Sequence, residues 1–200
     1  MMQVETTRAK RAKETRAKIF AAASALMAEG GYHIATVDRI ATRAGVAKAT
    51  FFVHFASKAE VVKSLVMLQT QVARRARLAA LVDGPIAALR AMVFSLGDQA
   101  AMSRATSRGV IVATLESEEL GGAATALFDE VLADMTVDAR TAKRAGLFGA
   151  HVVPEHLASS LLASYFGAVL GFSLRPTGTI NDTLVPLVDG TLSGALVTHA

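Results

Sequence analysis

Apolar residues recur at intervals of three and four along almost the whole of this 200-residue chain and nowhere alternate in the manner of a strand, which makes it an all-α sequence. Ile19, Phe20, Ala23, Leu26 and Met27 form one such stripe and predict an amphipathic helix over about 10–29, which Gly30 and Gly31 end by offering left-handed backbone. Thr36 has the chemistry of a helix cap and opens a short helix through Ala44; Gly45 stops it, and Val46-Ala47 lead into a third helix over 48–53. Ser57-Lys58-Ala59-Glu60 is a capping-box pattern and predicts a fourth helix to about residue 80. Beyond Gly84-Pro85 the spacing predicts helices over 85–99, 103–115, 119–145 with a break near 136–138, and 154–174. A final helix is expected to be capped by Asn181 or Asp182 and to run past Pro186 to about residue 197. The punctuation divides the chain into a three-helix unit, 1–56, and a helical domain, 57–200, joined through the helix over 57–80.

Charge follows the same division. Residues 1–80 hold 14 Lys and Arg against 5 Asp and Glu, a net of +9, whereas residues 81–200 hold 7 against 12, a net of −5. Clustered positive charge lowers the free energy of approach to phosphates, so the first part is expected to face a polyanion. The chain has no cysteine, which excludes disulfides, thiol catalysis and thiolate metal sites. Residues 1–18 are polar and charged, unlike a signal peptide, and the expected location is cytoplasmic.

One stretch has the length of a membrane span. His156 to Leu174 carries no charge and places Gly167 and Gly171 at the spacing that lets helices approach closely. His156, Ser159, Ser160, Ser164 and Ser173 interrupt it, so it reads instead as a helix buried at a subunit interface, with no membrane partner.

The segment Ala35 to Lys58, ATVDRIATRAGVAKATFFVHFASK, preceded by RAKIFAAASALMAEGGY, resembles the N-terminal domain of the TetR family of bacterial transcriptional regulators. The resemblance covers about residues 15–65; beyond it the likeness is one of architecture. It implies a helix-turn-helix that binds operator DNA, followed by a divergent helical core that takes a small molecule and pairs with a second subunit through its last two helices.

The residues support this independently. Ala41 lets two helices cross closely, Gly45 suits a tight turn, and Val46 and Phe51 fill the space between the helices. Lys48, Ala49, Thr50 and His54 are left pointing outward from the third helix, able to meet bases or phosphates in a major groove. Lys48 can bond guanine or a phosphate, Thr50 a phosphate or a thymine methyl, and Thr36 and Lys58 sit at helix starts where phosphates bind. Two positions depart from the family pattern: Phe52 stands where relatives carry a phosphate-binding Tyr, and Ala49 where they carry Gly. The basic arm Arg8, Lys10, Arg11, Lys13 and Arg16 can approach the adjacent backbone or minor groove.

In the second domain, Met92, Met102, Phe128, Phe148, Tyr165 and Phe166 are candidates to line an effector pocket, although each alone reads as ordinary core. Arg104, Arg108 and Glu116 could fix a polar group of the ligand. Ala163, Gly167 and Gly171 with Gly190, Ser193 and Gly194, flanked by Leu161, Leu170, Leu187 and Leu192, suit a two-fold four-helix interface. His151 and His156 lack metal-ligand spacing, and no serine lies in a nucleophile frame, so no cofactor, metal or catalytic residue is expected. The sequence therefore reads as a regulator, most simply a repressor, that binds palindromic operator DNA as a homodimer and is released by a small, largely apolar effector. A helical enzyme or a non-DNA interaction protein are the alternatives.

Overall fold

A computed structural model describes residues 7–101 and 103–197. Among the described residues nine α-helices follow one another: α1 (Thr7–Gly30), α2 (Val37–Ala44), α3 (Lys48–His54), α4 (Lys58–Ala80), α5 (Pro85–Ala101), α6 (Arg104–Glu116), α7 (Glu118–Arg144), α8 (Pro154–Leu174) and α9 (Asn181–Ala195). A single 3-10 turn, Leu81–Asp83, bends α4 into α5.

Local chemistry accounts for most of the boundaries. Gly31 takes a φ of 86° behind α1, where any side chain would be strained. The hydroxyls of Thr36, Ser57, Ser103 and Ser117 each accept a backbone N–H at the start of α2, α4, α6 and α7, satisfying one of the donors that every helix start leaves over. Two expectations are corrected. The helix α7 runs unbroken through 136–138, because Met135, Asp138 and Ala139 are all buried on one face and hold it straight against its neighbours. At α9 neither Asn181 nor Asp182 is the cap: Ile180 occupies that position, while Asp182 accepts from the N–H of Thr179 and Thr179 Oγ1 accepts from the N–H of Asp182.

Two apolar cores result. The first joins Ile19, Leu26 and Met27 of α1, Ile40 and Ala41 of α2, Phe51 and Phe55, and the opening turns of α4; Ala113 of α6 and Leu120 of α7 also belong to it. The second is built from α5, α7, α8 and α9 around Leu89, Met92, Leu96, Met135, Leu161 and Leu184. The helix α6 thus lies between the head and the body. Its Gly109 sits so close to α1 that an added Cβ would come 2.7 Å from Met27 Cβ.

Along its flank α4 is tied to α7 by ions. Arg77 donates from Nε at 2.6 Å and from Nη2 at 2.8 Å to the two carboxylate oxygens of buried Asp138, and one turn earlier Arg74 pairs with Glu130 and Asp134.

Helix α8 is long and apolar enough to cross a membrane by composition, with half of the relevant window buried inside the protein. Its inner face, including Leu157, Leu161, Tyr165 and Ala168, packs within the second core. Its other face is exposed and carries Ala163, Phe166, Gly167, Leu170 and Leu174, while α9 exposes Leu187, Gly190, Ser193 and Gly194. A Cβ at Gly167, Gly190 or Gly194 would meet no atom of this chain within 4 Å. Of the leucines expected to flank a subunit interface, Leu170 and Leu187 face outward, but Leu161 and Leu192 are buried in their own subunit's core.

Candidate nucleic-acid interface and ligand cavity

The helix-turn-helix is framed by groups that have no business with solvent. Gly45 adopts φ 67°, ψ 35° and returns its N–H to Ala41 and Thr42, so the chain reverses within a few residues and presents α3 across α2. Phe51 and Phe55 are fully buried, and Phe20 meets Phe55 edge to face at 5.1 Å. Arg16, expected in the basic arm, belongs instead to this frame. Its guanidinium lies 4.2 Å from the centroid of Phe55, donates to the His54 carbonyl at 3.0 Å and donates to Ser64 Oγ at 3.0 Å, fastening the end of α3 to α1 and α4. Arg8, Lys10, Arg11 and Lys13 are exposed on the first turns of α1, which begins earlier than the sequence suggested.

The sequence-predicted contacts divide. Lys48 and Ala49 are exposed at the start of α3, and Thr50 and His54 are half-buried along its flank. Lys48 Nζ rests 2.9 Å from Asp38 Oδ1, a solvent-exposed pair worth at most about 1 kcal/mol and readily exchanged for a phosphate. Thr36 is exposed, but its hydroxyl caps α2 by accepting from the Arg39 N–H at 3.4 Å. Lys58 turns inward: its ammonium donates to the Tyr32 carbonyl at 3.0 Å and lies 3.9 Å from the Tyr32 ring centroid, and partial burial lowers its pKa from the usual lysine value. It fastens α4 to the end of α1. Phe52 and Val53 complete the outward face of α3, 49% and 80% exposed. Val53 went unmarked in the sequence, although positions 48, 49, 52 and 53 share a helical face and the spacing alone would have found it.

The second site is a cavity of about 560 Å³ in the body, lined by Val66 and Gln69 of α4, Ala100 of α5, Ser107, Val110, Ile111, Thr114 and Leu115 of α6, Gly121, Ala124, Thr125, Phe128 and Asp129 of α7, and Leu162, Tyr165, Phe166 and Val169 of α8. Phe128, Tyr165 and Phe166 lie together at its wall, with ring centroids 4.7 to 6.0 Å apart. Burial raises the Tyr165 pKa well above the ordinary tyrosine range, so its hydroxyl stays neutral. Among the described residues no Lys, Arg or His lines the cavity, and Asp129 is the one formally charged residue on its walls.

The other pocket candidates lie elsewhere. Met92 is fully buried in the second core, two turns before Ala100, which is the residue α5 contributes to the lining. Phe148 lies beyond α7, paired through an isolated β-bridge with Leu196. Met102 falls outside the described residues. Arg104 does not reach a ligand position: it donates to the carbonyls of Phe172, Arg175 and Gly178, closing the end of α8. Arg108 and Glu116 are exposed and off the lining. Val66, Val110, Ile111 and Leu162 were missed, because ordinary aliphatic residues at helical spacing look alike whether they face a core or a cavity.

A family model described as bacterial regulatory proteins of the tetR family matches residues 19–65, the span from the middle of α1 to the second turn of α4. The N-terminal domain is a TetR-family domain. The HTH-type transcriptional activator FasR of Mycolicibacterium smegmatis is 46% identical over 48 residues, which make up 24% of this chain and 22% of that protein. The similarity to FasR thus spans about a fifth of its length. Over most of the chain the TetR fold is matched by the fatty acid degradation regulator FadR from Bacillus halodurans, with a TM-score of 0.77, 21% identity, and 90% of this chain and 95% of that one covered. SmeT, the repressor of the Stenotrophomonas maltophilia multidrug efflux pump SmeDEF, gives a TM-score of 0.72 at 24% identity, covering 92% and 93%. At these identities the likeness establishes the fold.

Proposed function

We propose that this protein is a one-component transcriptional regulator that binds a palindromic operator as a homodimer and is released from it by a small apolar effector. The observation that carries the reading is the outward face of α3, held on a buried aromatic and Arg16 frame inside the TetR-family domain. The net +9 of the first 80 residues supplies attraction to phosphate. Dimerisation is supported by the exposed stripes of small and apolar residues on α8 and α9, which would bring two heads about 34 Å apart, one turn of DNA.

The effector is an apolar molecule of a few hundred cubic ångströms without an anionic group, because an anion in this cavity would find no cation among the described residues of its walls. SmeT has been solved with triclosan, a small-molecule complex on the same fold. Repression is the simplest action, since a dimer seated on an operator obstructs transcription without a further contact surface. FasR is an activator, but a likeness over 48 residues, about a fifth of that protein, does not carry the sign of regulation to this chain.

Selection of duplexes from a random pool with the full chain tests the reading. A two-fold symmetric site is expected to be enriched, and loss of its retention by Lys48→Ala combined with Ala49→Glu is expected to follow. Enrichment of no palindrome would overturn it.

A further inference from the structure

The face that α3 offers is nearly devoid of hydrogen-bonding groups. Its exposed residues are Lys48, Ala49, Phe52 and Val53, and Lys48 already has Asp38 as a partner. Phe52 stands edge-on to Phe51 with centroids 5.5 Å apart and an interplanar angle of 86°, so one rim of its ring rests on the frame while about half of the side chain faces outward. Val53 beside it is 80% exposed. Neither side chain can bond a base edge or a phosphate. In the major groove, one base presents an apolar group, the 5-methyl of thymine. The surrounding charge, from Lys48, Arg39 and Arg43 on the same two helices, suits a duplex and not an apolar protein surface.

We infer that Phe52 and Val53 read thymine methyl groups, so that this regulator selects A·T pairs at the operator positions facing the second half of α3. The inference rests on the operator-binding reading above. Arg39, Arg43, Lys48 and the first turns of α1 fix the head on the backbone; discrimination comes from apolar contact. The absent hydroxyl at Phe52 removes a phosphate ligand and leaves a ring whose outward rim suits a methyl.

The test uses the full-length protein and the duplex it selects from a random pool. Each thymine of that site is replaced singly by deoxyuridine, which deletes the methyl and keeps every hydrogen-bonding group, and Kd is measured by fluorescence anisotropy at one salt concentration. At one or two positions in each half-site the replacement is expected to weaken binding about fourfold, the effect of exposing one methyl-sized group. In Val53→Ser or Phe52→Ser the same replacement is expected to cost nothing further. Both residues are exposed, so these variants keep the fold, which circular dichroism verifies. A tightly bound site at which deoxyuridine is neutral everywhere overturns the inference and leaves operator binding intact. A penalty that persists undiminished in both serine variants also overturns it. If no site is enriched, the operator-binding reading fails and this one with it.

Discussion

Replacing Asp138 by Ala tests whether the ion pair between α4 and α7 is a structural requirement. In the native protein the Arg77 guanidinium makes two hydrogen bonds of 2.6 and 2.8 Å to Asp138, with the side chains 10% and 4% exposed. Taking away one partner of such a pair leaves a charge with little water and costs about 3–5 kcal/mol. Asp134 moderates this, since its Oδ1 lies 3.6 Å from Arg77 Nη1; but Asp134 is already bonded by Arg74 Nε at 2.7 Å, so it compensates in part. The expected loss is therefore at the lower end, about 3 kcal/mol. Arg77→Met alone should lose a similar amount, because it strands the carboxylate. The double change Arg77→Met with Asp138→Leu strands nothing and should cost about 1 kcal/mol or less. Urea unfolding followed by circular dichroism measures all three, at one protein concentration because self-association shifts apparent stability. The reasoning is refuted if either single change costs under about 1 kcal/mol, or if the two add.

Three further outcomes are expected. Gly109→Ala places a methyl 2.7 Å from Met27 Cβ and should destabilise the protein by about 1–3 kcal/mol in the same urea assay; Met27→Ala, which keeps that Cβ, should recover none of it. Tyr165 is protonated in the fold at pH values where an unfolded tyrosine ionises; folding stability should fall as pH rises above about 10, by about 1 kcal/mol between pH 10 and 11, and Tyr165→Phe should remove that share of the slope. Leu170→Glu with Leu187→Glu alters only exposed positions of α8 and α9, so sedimentation equilibrium should find folded monomers, and a dimer of undiminished affinity would count against the proposed interface.

The helix-turn-helix was legible because its signals are local: a capping threonine, a glycine turn and an apolar stripe each act over a few residues. Its internal commitments were harder to read. Arg16 and Lys58 look like their solvent-facing neighbours in sequence, and what draws them partly inward is an aromatic ring and a carbonyl supplied by distant residues, Phe55 and His54 for the one and Tyr32 for the other. The cavity was legible only where rings cluster on α7 and α8. Met92 and Phe148 have the same chemistry as Phe128 and Tyr165, and which of them meets empty space depends on how five helices splay, a property without a local sequence signature. Gly109 passed unnoticed for a related reason: a helical glycine reveals a close crossing only once the partner helix is in place.

Helix α6 bears on how the two sites could communicate. Ser107, Val110, Ile111 and Thr114 face the cavity, while Gly109 and Ala113 on the opposite side meet the head, Gly109 directly against Met27 of α1. A ligand that shifts α6 therefore cannot leave α1 where it was, since the crossing is already at van der Waals limit and close-packed interiors transmit displacement in place of absorbing it. On the far side α4 also lines the cavity, through Val66 and Gln69, and carries the Lys58 anchor to Tyr32 at one end and the Arg77–Asp138 pair farther along. The head is thus held through α6 and α4, both of which form cavity walls. Such a linkage changes DNA affinity only as far as the ligand binds the two head positions unequally. The largest effect is expected from a ligand that fills the space between α6 and α4, and little from one that contacts α8 alone.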